Sequence, residues 1–584
     1  REPRGPPARR PATPGAATAE ESAMALTGAP ASAIPADPAG AGSVGAGGGG
    51  GAPKPVQQSD KRKRFDRQLR IWGEHGQAAL EDAHVCLLGA GPTGTETLKN
   101  LVLGGIGAFT VVDIARVEPR DLGNNWLLAA GSVGASRAEL ACSALHELNE
   151  AVEGAFVEES TRTLLDARPE FFKAFTLVIA TQECEQTLVK LDEVCRREGV
   201  PLLAARSYGL LGSLRVSKSE HCVVEAKPDS EVEDLRLHSP WEELEAFVRE
   251  FRLGELDDAT HAHVPFAVLL VQAMQEYKAS NNGELPKTSK EKAAVKDALR
   301  QLGRRIDQEN VREAVAGAYK AWTVVSIPSD LRALLEVAST VGTAPDAPQF
   351  WLLAAALGRF VEKEGNGRLP LEGSIPDMTS TTEFYLKLQR IYQDKARADA
   401  EAVLGHARSI LVEAGVSPES IQYDTVRVFC KNAHHLSVTR YRTLAEETGS
   451  ETCDVEAVGK LLASEDSVLN ASAYVLLRSC DKFEESYNRL PGVFDSEIDE
   501  DVSRLKSIAA SLLTQCYGVN NAGVDEDLLC EVVRFGGSEL HAVASVMGGI
   551  AAQEAIKLLT CQFVPLAGTL IYNAINSTST VITL

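Results

Sequence analysis

Gly89, Gly91 and Gly94 make a G-x-G-x-x-G run directly behind the apolar stretch His84-Val85-Cys86-Leu87-Leu88, and Asp113 follows roughly 20 residues later, closing a second apolar stretch. In this order of strand, glycine loop, helix, strand and acid, backbone N–H groups at the helix start can hold a phosphate and the acid can hold a ribose hydroxyl. A tight strand-to-helix turn needs the same glycines, so both readings stand at this point. The eleven cysteines include no C-x-x-C pair, so neither a disulfide framework nor a zinc knuckle is visible. Cys222 lies in the strand-like run Glu220-His221-Cys222-Val223-Val224, which favours a buried or incidental thiol over a nucleophile. His261 and His263 lack a third ligand, and i, i+2 is not a helical ligand pair, so a structural role is favoured; His434-His435 is read the same way.

The elements around these residues follow from hydrophobic period. Phe65, Leu69 and Trp72 fall at i, i+4, i+7, the spacing of one helix face, with Gly73 as the stop and Arg67 and Arg70 on another face. Behind the 89–94 loop a helix runs through Leu98, Leu101 and Leu103, followed by a strand over 109–112. Helices over 137–148 and 186–197 alternate with strands over 176–180 and 200–204, the pattern of a parallel, doubly wound α/β sheet. After about Lys218 the period becomes helical: Ser239-Pro240-Trp241-Glu242 reads as a capping box, and amphipathic stretches continue through Phe247, Leu299, Leu353, Leu386, Leu411 and Leu462. Helices over 499–513 and 539–559 and a closing strand over 569–572 resume the α/β unit. The expected division is a disordered tail over 1–59, an α/β part over 60–220, an all-α insert over 221–471 and a second α/β part over 472–584.

Composition narrows the class. Length alone, 584 residues, predicts three or four folded units at roughly 100–200 residues each. Lys+Arg 59 against Asp+Glu 81 leaves a net charge of −22, which argues against nucleic acid as a partner. No apolar run near the ~20 residues of a bilayer span stands out, so no membrane role is expected. The tail is Ala, Gly and Pro with few large apolar residues and cannot offset its ordering entropy by burial. It begins with Arg1 and its first methionine is Met24, so native segment and leader both remain open. Lys61-Arg62-Lys63-Arg64 reads as a solvated helix leader, with a nuclear import signal as the second reading. Reduced thiols point to the cytoplasm or nucleus.

The run Phe65-Asp66-Arg67-Gln68-Leu69-Arg70-Ile71-Trp72-Gly73, the 89–94 loop, Val112-Asp113 and the helix over 543–557 resemble the activating enzymes of ubiquitin-like proteins. Within that superfamily, Asp121-Leu122-Gly123-Asn124-Asn125-Trp126 and Gly367-Arg368-Leu369-Pro370 through Ile375-Pro376-Asp377-Met378 look like the regulatory subunits of the heterodimeric neddylation (NEDD/RUB) activating enzymes. The resemblance covers nearly all of 61–584. It implies a Rossmann-like, ThiF/MoeB-type sheet interrupted by an all-α insert equivalent to the catalytic-cysteine domain, here without that cysteine. It also implies a two-stage reaction of the cullin-modification pathway, in which ATP and Mg2+ adenylate the modifier's C-terminal glycine and a cysteine then captures it as a thioester.

Active halves of that superfamily carry Asp-x-Asp and then Asn-Arg-Gln. Here Asp113 is followed by Ala115, and Gly123, Asn124 and Asn125 stand at the later positions. Arg137 replaces a lysine, and Glu183-Cys184 replaces an Asp-Asn pair for magnesium. A neutral amide cannot supply the forked, charge-assisted grip of Arg on phosphate. Gly89, Gly91, Gly94 and Asp113 are therefore expected to be a vestigial cofactor site, with ATP and Mg2+ bound by the partner subunit and no metal bound here. Arg67 is expected to be the catalytic contribution, reaching in trans into the partner's ATP site. The implied partners are an obligate catalytic subunit, the NEDD/RUB modifier and, indirectly, a conjugating enzyme. About a dozen residues follow Tyr572, too few for a ubiquitin-fold module of ~50 residues, so recruitment is expected elsewhere. Two alternatives are a stand-alone NAD-dependent Rossmann oxidoreductase, for which no acid/base site is visible, and the small subunit of a SUMO-activating enzyme, for which the insert is too large.

Overall fold

A computed structural model describes residues 42–43, 62–228, 234–305, 307–465, 467–519 and 523–584. Its nine-stranded sheet is built from β1 (Gly42–Ser43), β2 (His84–Leu88), β3 (Ala108–Val112), β4 (Glu153–Val157), β5 (Leu177–Thr181), β6 (Leu202–Tyr208) and β7 (Leu211–Ser217). A two-stranded ribbon of β8 (Glu220–Val223) and β9 (Ser437–Arg440) comes next, and β10 (Thr569–Asn573) and β11 (Thr578–Ile582) complete the large sheet. The order is β1-β4-β3-β2-β5-β6-β7-β10-β11, with β4-β3-β2-β5-β6 parallel and the remaining pairs antiparallel. The rest of the tail over 1–59 lies outside the described residues; β1, which pairs with β4, departs from the structureless tail expected there.

The central strands are largely apolar because both faces are covered. Val85, Leu87, Phe109, Val111, Leu177 and Ile179 face one core with the Pro92–Gly104, Arg137–Leu148 and His541–Thr560 helices. The intervening Cys86, Leu88, Val112, Val178 and Ala180 face a second core under the Thr161–Ala167 and Glu185–Glu198 helices. Strand order reverses beside β2, so a crevice opens at the carboxyl ends of β2 and β5, where such sheets place ligands.

Between β8 and β9 the chain forms two helical cores, spanned by the 32-residue Thr382–Glu413 helix: Leu388 and Tyr392 lie in one and Ala400 to Leu411 in the other. The ribbon pairs Glu220 with Arg440 at the neck. By packing, the insert ends near residue 440 rather than 471. The Leu444–Thr448 helix already lies against the Glu185–Glu198 helix, and Val458 and Leu462 share a core with Tyr208, Leu211 and Ile571. Two local expectations also change. Trp241, not Ser239, caps the Glu242–Arg249 helix, with no side-chain cap. The strand at 569–573 does not close the sheet, because β11 turns back along it.

Among the described residues one helix, His541–Thr560, is long and apolar enough to cross a bilayer by length and composition, contrary to the expectation that no such run exists. It packs instead within the α/β core against the Pro92–Gly104 helix. Close approach depends on Gly548, where a Cβ would sit 2.6 Å from the Glu96 Cβ and 2.9 Å from the Thr97 nitrogen. Gly549 has nothing within 4 Å of that position. Gly548→Ala is therefore predicted to destabilise the chain by about 1–3 kcal/mol through overpacking, while Gly549→Ala gains up to about 1 kcal/mol of helix propensity. Urea unfolding of the two variants should move in opposite directions.

Candidate functional site

The 89–94 loop leaves β2 at the switch point and opens the Pro92–Gly104 helix, with Gly91 as its N-cap. Gly89 has φ +89, and a Cβ there would meet Thr181 Oγ1 at 2.8 Å; one at Gly94 would strike the Gly89 carbonyl. The spacing of these glycines thus serves the tight turn against β5. Around them lies a cleft of about 310 Å³, lined by Asp113, Glu159, Glu183, Glu484 and Glu539 against only Arg137 and Arg162 as cations. Five carboxyl groups facing two guanidinium groups make a poor field for a triphosphate.

The groups that would meet a nucleotide are already engaged within the chain. Asp113 Oδ2 accepts from the Ala90 N–H at 2.7 Å and from Arg137 Nε at 2.8 Å, while its Oδ1 accepts from the Ala115 N–H at 2.8 Å. Arg137 also lies 3.7 Å from Asp121. Burial opposes the charge on Arg137, but Asp113 and Asp121 outweigh it and raise its pKa. A carboxylate held by three donors inside the protein has little left for a ribose.

At the phosphate position stands Glu539. Its Oε2 accepts from the Thr93 N–H at 3.1 Å and from Thr93 Oγ1 at 2.6 Å, the donors that a helix N-terminus offers an anion. A Cβ on Gly91 would lie 2.5 Å from Glu539 Oε1, so the second glycine of the motif makes room for this side chain. Asn124 Nδ2 donates to the Glu539 carbonyl at 2.9 Å, and Asn125 Nδ2 donates to the Ala90 carbonyl at 3.1 Å. The two amides singled out in the sequence therefore brace the glycine loop and the plug.

Of the residues read from sequence, the structure brings Gly89, Gly91, Asp113, Arg137, Glu183 and Cys184 to one cleft. Gly94 lies under the turn, and Arg67 lies apart on solvent with 86% of its side chain exposed. Glu183 accepts from Thr161 Oγ1; burial lifts its carboxyl above the usual range, reinforced by Asp113 and opposed by the Thr161 bond and Arg162. Among the described residues no group of three His, Cys, Asp or Glu is placed to hold a metal. His261 bonds Gln308 at 2.7 Å, and His263 Nδ1 lies 2.8 Å from the Ala259 carbonyl. Burial raises the thiols of Cys222, Cys430 and Cys453 above their usual range, Cys430 to about 12, which suppresses the thiolate a nucleophile needs. Sequence reading did not find Glu539; its one local signal was an acid just ahead of the His541–Thr560 helix.

A glycine loop at the switch point of a parallel sheet, closed by a late helix and an antiparallel hairpin, defines a ThiF-type α/β protein, and the ThiF family matches residues 65–583. The NEDD8-activating enzyme E1 regulatory subunit AXL of Arabidopsis thaliana is 46% identical over 527 residues, covering 90% of this chain and 100% of that protein. The NEDD8-activating enzyme E1 regulatory subunit of Danio rerio is 42% identical over 528 residues, covering 89% and 98%. The chain belongs to this family of regulatory subunits. Among solved structures, the E. coli tRNA N6-threonylcarbamoyladenosine dehydratase TcdA is 22% identical over 30% of this chain and 72% of its own, with a TM-score of 0.24. The relatives favour neither the oxidoreductase nor the SUMO small-subunit alternative.

Burial lifts the Glu539 carboxyl above its usual range, against the opposing pull of Thr93, Arg137 and Gln182. The folded chain therefore holds this proton more tightly than the unfolded chain, where a glutamate titrates near ~4.3. The stability this contributes is full below that value and is lost as pH rises through the higher folded value. Glu539→Gln abolishes the titration, so its unfolding free energy, measured in urea from about pH 4 to 7, should fall less with pH than that of the wild type.

Proposed function

We propose that this chain is the non-adenylating half of a heterodimeric NEDD8-activating enzyme. A catalytic partner subunit binds ATP and Mg2+, adenylates the modifier's C-terminal glycine and carries the thioester cysteine. The observation that carries this reading is the self-filled cleft, in which Glu539 takes the Thr93 donors and Asp113 is spent on Ala90, Ala115 and Arg137. The raised thiols of Cys222 and Cys430 argue against a nucleophile in the insert, and its role in this proposal is to help receive the modifier and the partner's thioester domain. The conjugating enzyme is engaged indirectly, through the partner, and the pair acts in the cytoplasm or nucleus.

An association surface has physical support. Ile71, Leu103, Trp126, Leu540 and Val546 are large apolar side chains exposed on or beside the Asp66–Glu81, Pro92–Gly104 and His541–Thr560 helices, which pack together. Their placement on neighbouring elements fits a subunit interface. Arg67 stands on the first of these helices. Among the described residues its one ion contact, to Asp66 at 3.9 Å, is long and solvated, so the guanidinium is available to a group supplied from outside the chain. Delivered in trans to the partner's nucleotide, it would neutralise charge on the phosphates as pyrophosphate departs.

The test is modifier-dependent ATP–pyrophosphate exchange by the reconstituted pair. Arg67→Ala should lower the exchange rate by about 100-fold, the scale of losing one transition-state donor, while the pair still co-elutes on gel filtration. Full exchange at saturating ATP would remove Arg67 from the reaction.

A further inference from the structure

The helix that carries Arg67 is short, and its end is not self-supporting. Gly73, at φ 70 and ψ 179, takes the chain out of helical geometry, so only about two turns precede it from Asp66. A helix of that length is marginal in water and takes its orientation from what it packs against. Phe65 anchors the start, because its ring fills the space that a Cβ on Gly105 would need. At the other end, Trp72 Nε1 donates to Gln77 Oε1 at 3.1 Å.

A helix that stops at Trp72 leaves its last carbonyls without the usual N–H partners. Two distant side chains serve them. Lys227 Nζ donates to the Ile71 carbonyl and, at 2.6 Å, to Gln562 Oε1. Gln562 Nε2 donates to the Trp72 carbonyl at 2.9 Å. The same Nε2 lies 2.7 Å from His75 Nε2, and His75 in turn meets Glu225 Oε1 at 2.5 Å. Gln562, 1% exposed, is the hub. Glu225 and Lys227 lie just past β8 on the segment that leads into the insert, and Phe563 N–H donates to the Glu225 carbonyl at 2.8 Å. A cation at a helix C-terminus is also favoured by the helix dipole.

We propose that Lys227 and Gln562 are positioning residues for Arg67, capping the two-turn helix from the root of the insert and so fixing where the guanidinium projects. This rests on the reading that Arg67 acts in the partner's nucleotide site. Lys227 acts by holding the Ile71 carbonyl and Gln562 by holding the Trp72 carbonyl. Misplacement of a charged group by about 1 Å is enough to slow a reaction it serves.

The test uses the reconstituted heterodimer, with wild type, Arg67→Ala, Lys227→Met, Lys227→Arg and the double variant Arg67→Ala/Lys227→Met compared in pyrophosphate exchange. Lys227→Met should lower kcat about 10-fold with KM for the modifier unchanged, Lys227→Arg should stay within about 3-fold of wild type, and the double variant should fall no further than Arg67→Ala alone. Additive losses in the double variant would overturn the proposal, since Lys227 would then act elsewhere. Full activity of Lys227→Met beside a defective Arg67→Ala would also overturn it and leave the role of Arg67 standing. A fully active Arg67→Ala would remove that role and the proposal together. Hydrogen exchange of the 66–72 amides supplies a readout independent of turnover. Exchange should quicken in Lys227→Met and return towards wild type in Lys227→Arg; unchanged exchange in Lys227→Met would overturn the proposal. Should Lys227→Met fail to assemble, Gln562→Met runs the same cycle, with the same outcomes deciding.

Discussion

The contact on which the functional account depends is the Glu539 carboxyl at the start of the Pro92–Gly104 helix. A helix N-terminus must find acceptors for its free N–H groups, and an α/β fold of this kind places one at the mouth of its crevice. When a ligand phosphate supplies the acceptor, the fold binds nucleotide. When a side chain of the same chain supplies it, the demand is met permanently and the fold is complete without ligand. Thr93, Gly91 and the two asparagines at 124 and 125 are arranged around the second solution.

Asp113 and Arg137 carry the same logic one step further. In an open site an acid at the end of β3 is free to meet a sugar. Here the guanidinium of Arg137 lies against it, and the Ala90 and Ala115 N–H groups take its remaining lone pairs. Arg137 and Asp113 thus form a largely buried ion pair in which a planar, forked guanidinium meets a carboxylate. Such a pair adds little net stability on its own, but breaking it is costly, so the loop is locked in one geometry. The Arg67 helix and its apolar neighbours lie on the outside of the unit and face solvent.

Much of this was legible in the amino-acid order. The strands at 84–88, 108–112 and 177–181 announce themselves because both faces are buried and their residues are almost all apolar. The Arg67 helix shows in the spacing of Phe65, Leu69 and Trp72. The expectation of a weakened phosphate grip rests on Gly123, Asn124 and Asn125. What took its place does not show, because Glu539 lies 446 residues from Thr93 and no local pattern marks an acid as a plug. The exit from the insert is hidden for a related reason: the helices at 444–448 and 455–463 continue the apolar spacing of those before them, and only packing reveals that Leu444 joins the core under the Glu185–Glu198 helix while Val458 and Leu462 join that of Tyr208 and Ile571. The caps on Ile71 and Trp72 are equally silent, since Lys227 and Gln562 are 156 and 490 residues away from the carbonyls they serve.

Nucleotide binding by the chain on its own tests the central claim most directly. Calorimetric titration of the isolated chain with Mg2+ and a non-hydrolysable ATP analogue should give no saturable heat up to millimolar ligand. One-to-one binding that Asp113→Ala abolishes would contradict the account, because it would place a nucleotide where Glu539 and Arg137 stand.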